Sequence, residues 1–118
     1  MRVHVYYNLN RHVWSVRDPR TRRVIDHRDQ VHLADVRFVV SEAGRQRVLR
    51  RRCRSVHPWA EGVLCERPAN LGAAVRYNPY RAPTFEVLAE GSQWQPIHTA
   101  ALVGFAPAGR CYLESRPC

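Results

Sequence analysis

The chain has 118 residues with 45% apolar content and three tryptophans, which excludes a disordered tail and suffices for one packed domain over residues 1–118. Its 19 basic residues are all arginine, against 10 acids, for a formal net charge of +9 and a pI near 10.4. No apolar run approaches the ~18 residues of a membrane span, so the expected partner is a polyanion and not a bilayer.

At the N-terminus Val3, Val5 and Tyr7 alternate with Arg2, His4 and Tyr6. This is strand periodicity without the apolar block of a signal peptide, and a cytoplasmic location is expected. After Asn8-Leu9-Asn10-Arg11, Trp14 and Val16 alternate with Val13, Ser15 and Arg17, which predicts a hairpin. Asp18-Pro19-Arg20-Thr21 carries a type I turn signal, and Arg23–Asp26 reads as a third strand. A connector holding Asp26, His27, Asp29 and Asp35 then leads to Val36–Val40, with Val36, Phe38 and Val40 on one side.

Residues 41–54 contain the helical segment, strongest near residues 42–52: Ser41 is a candidate N-cap, Glu42 suits the helix dipole, and Gln46 to Arg52 are mostly good helix formers. From Ser55 onward Pro and Gly recur too often for a long helix. Short strands fit around Gly62–Glu66, Ala74–Tyr77, Thr84–Leu88, Ile97–Val103 and Cys111–Glu114. The predicted class is mainly β (α+β): a small antiparallel sheet or barrel with one short helix.

Three constellations carry possible chemistry. The densest is Arg45, Arg47, Arg50, Arg51, Arg52 and Arg54. At about 100° per residue a helix places Arg47, Arg50, Arg51 and Arg54 opposite Val48, Leu49 and Cys53. A strand instead aligns Arg50, Arg52 and Arg54, so Arg50 and Arg54 face outward under either assignment. Such a run reads as a phosphate-tracking face or a dock for an acidic protein, or else as a solvated helix face. The second constellation is Arg76-Tyr77-Asn78-Pro79-Tyr80-Arg81. A turn at Asn78-Pro79 would splay Tyr77 and Tyr80 between Arg76 and Arg81, offering rings to stack bases and guanidinium groups for phosphates. Tyrosines at a loop tip equally suit a protein-binding hot spot or simple packing over a sheet edge.

The third constellation is the histidines. In the predicted hairpin His4 and His12 could lie together, and two histidines beside an Arg suffice for a metal-independent nuclease, one as base and one as acid. Ordinary surface histidines are the competing reading. Asp26, Asp29 and Asp35 with His27 and His32 read as a loop whose acids pair with Arg17, Arg22 and Arg28 and not as a cation site. Cys53, Cys65, Cys111 and Cys118 show no C-x-x-C spacing, so reduced structural thiols and no metal or cofactor are expected. No phosphate-binding glycine loop or known catalytic motif is present in the sequence.

Val5–Arg17 (VYYNLNRHVWSVR), Asp35–Val40 (DVRFVV), Gly44–Arg50 (GRQRVLR) and Val75–Tyr80 (VRYNPY) resemble small uncharacterised proteins of bacteriophages and prophages. The resemblance spans most of residues 3–100 and brings no catalytic residue with it. It implies a small phage-type protein in a bacterial cytoplasm, with a structural, regulatory or anti-defence role. With the charge, it points to an accessory protein that binds nucleic acid, or a nucleic-acid-handling host complex, through Arg47, Arg50, Arg51, Arg54, Arg76, Tyr77, Tyr80 and Arg81. A small nuclease using His4 or His12 and a virion or assembly component touching DNA are the alternatives. If the 47–54 face tracks phosphates, replacing Arg50 and Arg54 together by Ala is expected to lower the slope of log K against log salt by ~2 with little loss of stability. Titration of binding at several salt concentrations checks this, and an unchanged slope removes nucleic acid from that face.

Overall fold

The computed structural model describes residues 1–49, 57–66, 73–81, 83–89, 93–105 and 110–115. Nine strands form one mixed sheet: β1 (Arg2–Asn8), β2 (Val13–Arg17), β3 (Val24–Arg28), β4 (Gln30–Val39), β5 (Trp59–Cys65), β6 (Ala73–Tyr77), β7 (Phe85–Ala89), β8 (Gln95–Pro96) and β9 (Arg110–Ser115). They lie in the order β3-β2-β1-β5-β4-β9-β6-β7-β8. The helix α1 (Glu42–Leu49) follows β4, and the single turn α2 (Thr99–Leu102) precedes β9. The mainly β class with a helix after residue 41 is as expected. Residues 50–56, which hold Arg50, Arg51 and Arg54, lie outside the described residues, as do Cys53 and Cys118.

The first hairpin forms as the alternation predicts: Val5 pairs with Val16 and Tyr7 with Trp14, so all four face the core. Three hairpin turns share one device, a side-chain oxygen that accepts the backbone N–H two residues on. Asn8 Oδ1 accepts from Asn10 (3.0 Å), Asp18 Oδ1 from Arg20 (2.7 Å) and Asn78 Oδ1 from Tyr80 (2.9 Å). Two of these turns close with a residue in the left-handed region, His12 at φ 57° and Arg22 at φ 60°.

Three expectations need correction. The connector over residues 26–35 is largely strand, because β4 already begins at Gln30. Its inward residues are Val31 and Leu33, then Val36 and Phe38, and the change of phase comes from a bulge between Ala34 and Arg37 with Asp35 at φ 50°. One inserted residue hides the alternation from a period-of-two reading. Second, Ile97–Val103 is no strand: Thr99–Leu102 coils into a helical turn that buries Leu102 completely. Third, the sheet is neither wholly antiparallel nor a closed barrel. β6 and β9 run parallel, and β3 and β8 remain edges.

The sheet nevertheless curls far enough to pack on itself. Four strand steps separate β1 from β6, roughly 19 Å in a flat sheet at about 4.8 Å per strand. Yet the Tyr7 and Tyr77 rings stand 4.7 Å apart, and Ser115 Oγ at the end of β9 donates to the Tyr7 hydroxyl at 3.0 Å. The concave face holds the core: Val3 and Val5, Trp14 and Val16, Val31 and Leu33, Val75 and Tyr77, Cys111 and Leu113. Burial pushes the Cys111 thiol pKa up to about 12, so it behaves as a small apolar side chain.

Gly62 in β5 answers the β4 bulge. A β-carbon at this position meets the Ala34 carbonyl oxygen at 2.9 Å, the Leu33 Cβ at 3.2 Å and the Val36 Cα at 3.3 Å. Two of these neighbours are backbone in a paired strand and have little freedom to retreat. Gly62→Ala is therefore expected to destabilise the fold by about 1–3 kcal/mol through overpacking. Urea unfolding measures this, and an unchanged midpoint would show that the bulge yields freely.

Candidate functional site

The curl brings two hairpin tips together. His12, at the β1–β2 tip, meets Tyr80 of the β6–β7 turn in a tilted ring contact with centroids 5.6 Å apart, and a 3.0 Å hydrogen bond joins His12 Nδ1 to the Tyr80 hydroxyl. Tyr80 remains 59% exposed. Its chain neighbour Arg81 and the neighbour of His12, Arg11, are both exposed and have no carboxylate partner among the described residues. Arg20, Arg22 and Arg23 on the β2–β3 turn are likewise exposed and unneutralised.

Below the tips runs a groove of about 740 Å³ that includes Leu9, His57, Tyr80, Phe85, Ile97 and His98 in its lining. A second cavity, about 320 Å³, shares His57 and Phe85 with it and is otherwise formed by Tyr6, Tyr7, Trp14, Arg17, Pro58, Trp59 and Tyr77. At the divide a 2.7 Å hydrogen bond joins the Tyr77 hydroxyl to His57 Nδ1, and the two rings meet edge to face at 5.7 Å. The His57 residue as a whole is exposed, but the part of its ring against Tyr77 is covered, and this desolvation holds its pKa below the ordinary value. Burial likewise raises the Tyr77 phenol above its usual range, with the neighbouring Tyr7 and Tyr80 adding to the effect. Both groups are thus neutral near neutral pH, a hydrogen-bonded pair without charge.

The sequence-predicted residues divide sharply. Tyr80 and Arg81 stand at the surface as expected. Tyr77 does not splay outward: it shares the phase of Val75 in β6 and is 2% exposed, surrounded by Tyr7, Trp14 and Phe85. Arg76, on the opposite face, donates from Nε to Glu114 at 3.0 Å and lies 3.8 Å over the Trp94 ring, so its charge is engaged within the fold. Arg47 falls in α1, where the side chains of residues 47–49 lie outside the described ones, and Arg50, Arg51 and Arg54 lie beyond it.

The histidine pair is not assembled. His4 sits opposite Arg17 in the β1–β2 register, whereas His12 is in the turn beyond Asn8. Arg17 Nη2 lies 3.5 Å from His4 Nδ1, and His4 Nε2 lies 3.1 Å from Glu61 Oε1. Burial raises the Glu61 pKa, but the Arg37 hydrogen bond at 2.9 Å and the charges of Arg37 and His4 outweigh it and hold the carboxyl below its usual range. The Trp59 indole N–H contributes in the same direction, approaching Glu61 without closing a full hydrogen bond. His4 is thereby part of a structural polar cluster with Arg17, Glu61 and Arg37 on the convex face.

The sequence reading did not single out His57, His98, Trp14 or Trp59 as lining residues. They arrive from separate strands and connections, and no spacing links them. Only the abundance of aromatics hinted at such a cavity.

With the site in place, comparison with known proteins identifies the setting. The family model described as Mycobacterium phage L5 gene 82 protein matches residues 1–113. The chain belongs to this phage family. It is 32% identical to the gene 82 protein of Mycobacterium phage L5 over 125 residues, covering 97% of this chain and 90% of that protein. No solved structure matches. Among the described residues no helix is long and apolar enough to cross a membrane. The family match fits the resemblance drawn from the sequence and gives the tips and cavities a phage context.

His57 makes a pH prediction. Its folded pKa lies below its ordinary value of 6.5, so between the two values the unfolded chain binds more protons. The stabilising contribution is complete above the unfolded value and is lost as pH falls toward the folded one. His32, lowered by burial and by the Arg28 charge, acts in the same direction. His57→Gln is expected to lose less stability than the parent between about pH 7.5 and about pH 5, with His32 leaving a residual dependence. Urea midpoints at the two pH values decide it, and parallel losses in both proteins would separate His57 from the effect.

Proposed function

We propose that this member of the gene 82 family is a non-enzymatic phage accessory protein that binds nucleic acid through its joined hairpin tips. One observation carries the reading: an exposed Tyr80 ring, fixed by His12, stands with its chain neighbour Arg81 and the His12 neighbour Arg11, and no acid among the described residues neutralises them. A ring that can take the face of an unpaired base, with guanidinium groups for adjacent phosphates, is the combination that single-stranded nucleic acid requires. Guanidinium forks also bind phosphate bidentately. The net charge of +9 supplies long-range attraction to any polyanion.

Virion DNA, host nucleic acid and an acidic face on a nucleic-acid-handling host complex all present the required negative charge. Gel-shift titration with single-stranded and duplex DNA and RNA, at several salt concentrations, separates them. Tyr80→Ala is expected to weaken single-strand binding by about tenfold, in line with one lost base stack. Replacing Arg11 and Arg81 together by Ala is expected to lower the salt slope by ~1.4, or about 0.7 per lost phosphate contact on a single strand. Absence of nucleic-acid affinity in the parent protein would turn the tips into a protein dock. Turnover of RNA or DNA in EDTA would instead support the nuclease alternative.

A further inference from the structure

Six of the chain's eleven aromatic residues, Tyr6, Tyr7, Trp14, Trp59, Tyr77 and Phe85, line the single cavity of about 320 Å³. That volume is at the small end of the range for ligand sites, about 300–1,000 Å³. Three buried donors on the cavity's lining residues are also unsatisfied: the Trp14 and Trp59 indole N–H groups and the Arg17 Nε–H have no acceptor among the described residues. Trp14 is 3% exposed, so its N–H pays for desolvation without return.

The lining restricts the chemistry of the occupant. Aromatic boxes that hold organic cations rely on the ring faces and exclude competing positive charge. This one contains Arg17 and has no Asp or Glu in its lining, which disfavours a cation. Arg17 and His57 favour a ligand that is planar and aromatic at one end and anionic or acceptor-rich at the other. The larger groove continues from the shared residues His57 and Phe85 toward exposed Tyr80, so a chain of linked planar groups could follow it outward.

We propose that the Trp14–Arg17 cavity is a binding site for a single nucleotide, with the base and its carbonyl acceptors among the rings on the Trp14 side and its phosphate at the Arg17 guanidinium, which projects from the opposite face of β2 beside His4 and Tyr6. The same chemistry is supplied by a free mononucleotide or by one unstacked residue of a strand held at the tips. The second source rests on the nucleic-acid reading above, and the first does not.

The test is titration of the intact protein with adenosine and thymidine 5′-monophosphates and with a short single-stranded oligonucleotide, read by tryptophan fluorescence. Quenching by the monophosphates, with the parent nucleosides about tenfold weaker (about 1.4 kcal/mol) for the loss of the phosphate contact, is the expected result. Trp14→Phe keeps a ring and removes the donor, and half-buried Arg17→Gln keeps a stem of similar length. Each is expected to weaken monophosphate binding several-fold while the circular dichroism spectrum stays that of the parent. Monophosphate binding without oligonucleotide binding supports the cavity as a free-nucleotide site and removes the strand reading. Oligonucleotide binding that monophosphates neither reproduce nor compete with, and that both variants leave intact, overturns the cavity proposal and spares the tips. No response to any of the ligands overturns it outright.

Discussion

The packing of the Tyr77 ring against Tyr7 and Trp14 is the contact on which the rest of the molecule depends. It joins strands that lie four steps apart in one sheet, and so converts an open ribbon of strands into a closed concave face. Burying a large side chain of this kind contributes on the order of 1.5–3 kcal/mol, with edge-on ring contacts adding to it. Without that closure, β1 and β2 would lose the second wall of their core. His57 would have no phenol to bond, and the two hairpin tips would part. The bulge in β4 serves the same end, since an extra residue sharpens the twist of the strand that crosses the middle of the sheet.

Much of the fold was legible where a strand kept strict alternation. Val3, Val5, Tyr7 and Trp14, Val16 gave the first hairpin, and Asn8, Asp18-Pro19 and Asn78-Pro79 marked its turns and two others. Legibility failed where the period was interrupted. Asp35 shifts Val31 and Leu33 out of step with Val36 and Phe38, so a ten-residue strand reads as a loop followed by a short strand. Ile97–Val103 has strand-like composition in part, but the chain buries Leu102 by coiling one turn instead. Tyr77 and Tyr80 look equivalent in the sequence. Three residues and one turn separate a core ring from a surface ring, and the phase shared with Val75 is the only local sign of which is which.

The candidate site was harder to read, because sequence shows charges and not their partners. Arg76 and Arg81 flank the same turn, yet one is held by Glu114 and Trp94 while the other is unneutralised at the surface. Among the described residues Arg28 and Arg37 likewise meet acids across or along their strands, whereas the arginines of the β1–β2, β2–β3 and β6–β7 turns do not. The turns therefore carry unneutralised positive charge, and turn residues can be presented to a large partner without disturbing the sheet.

The position of β9 sets how the chain must fold. β9 lies between β4 and β6, so the flank made of β1 to β5 and the flank made of β6 to β8 are joined in the sheet through that one strand. Its partners are remote in sequence: Gln30 pairs with Glu114, and Ala73 pairs with Cys111. Closing loops of that size precedes the stabilisation they bring, which slows folding of non-local β topologies. Each flank would wait with an unsatisfied edge until β9 arrives, exposed to strand exchange with other copies. Once inserted, β9 cannot leave without breaking two ladders at once. Assembly is accordingly slow and late, and the barrier that delays it also protects the finished sheet from opening.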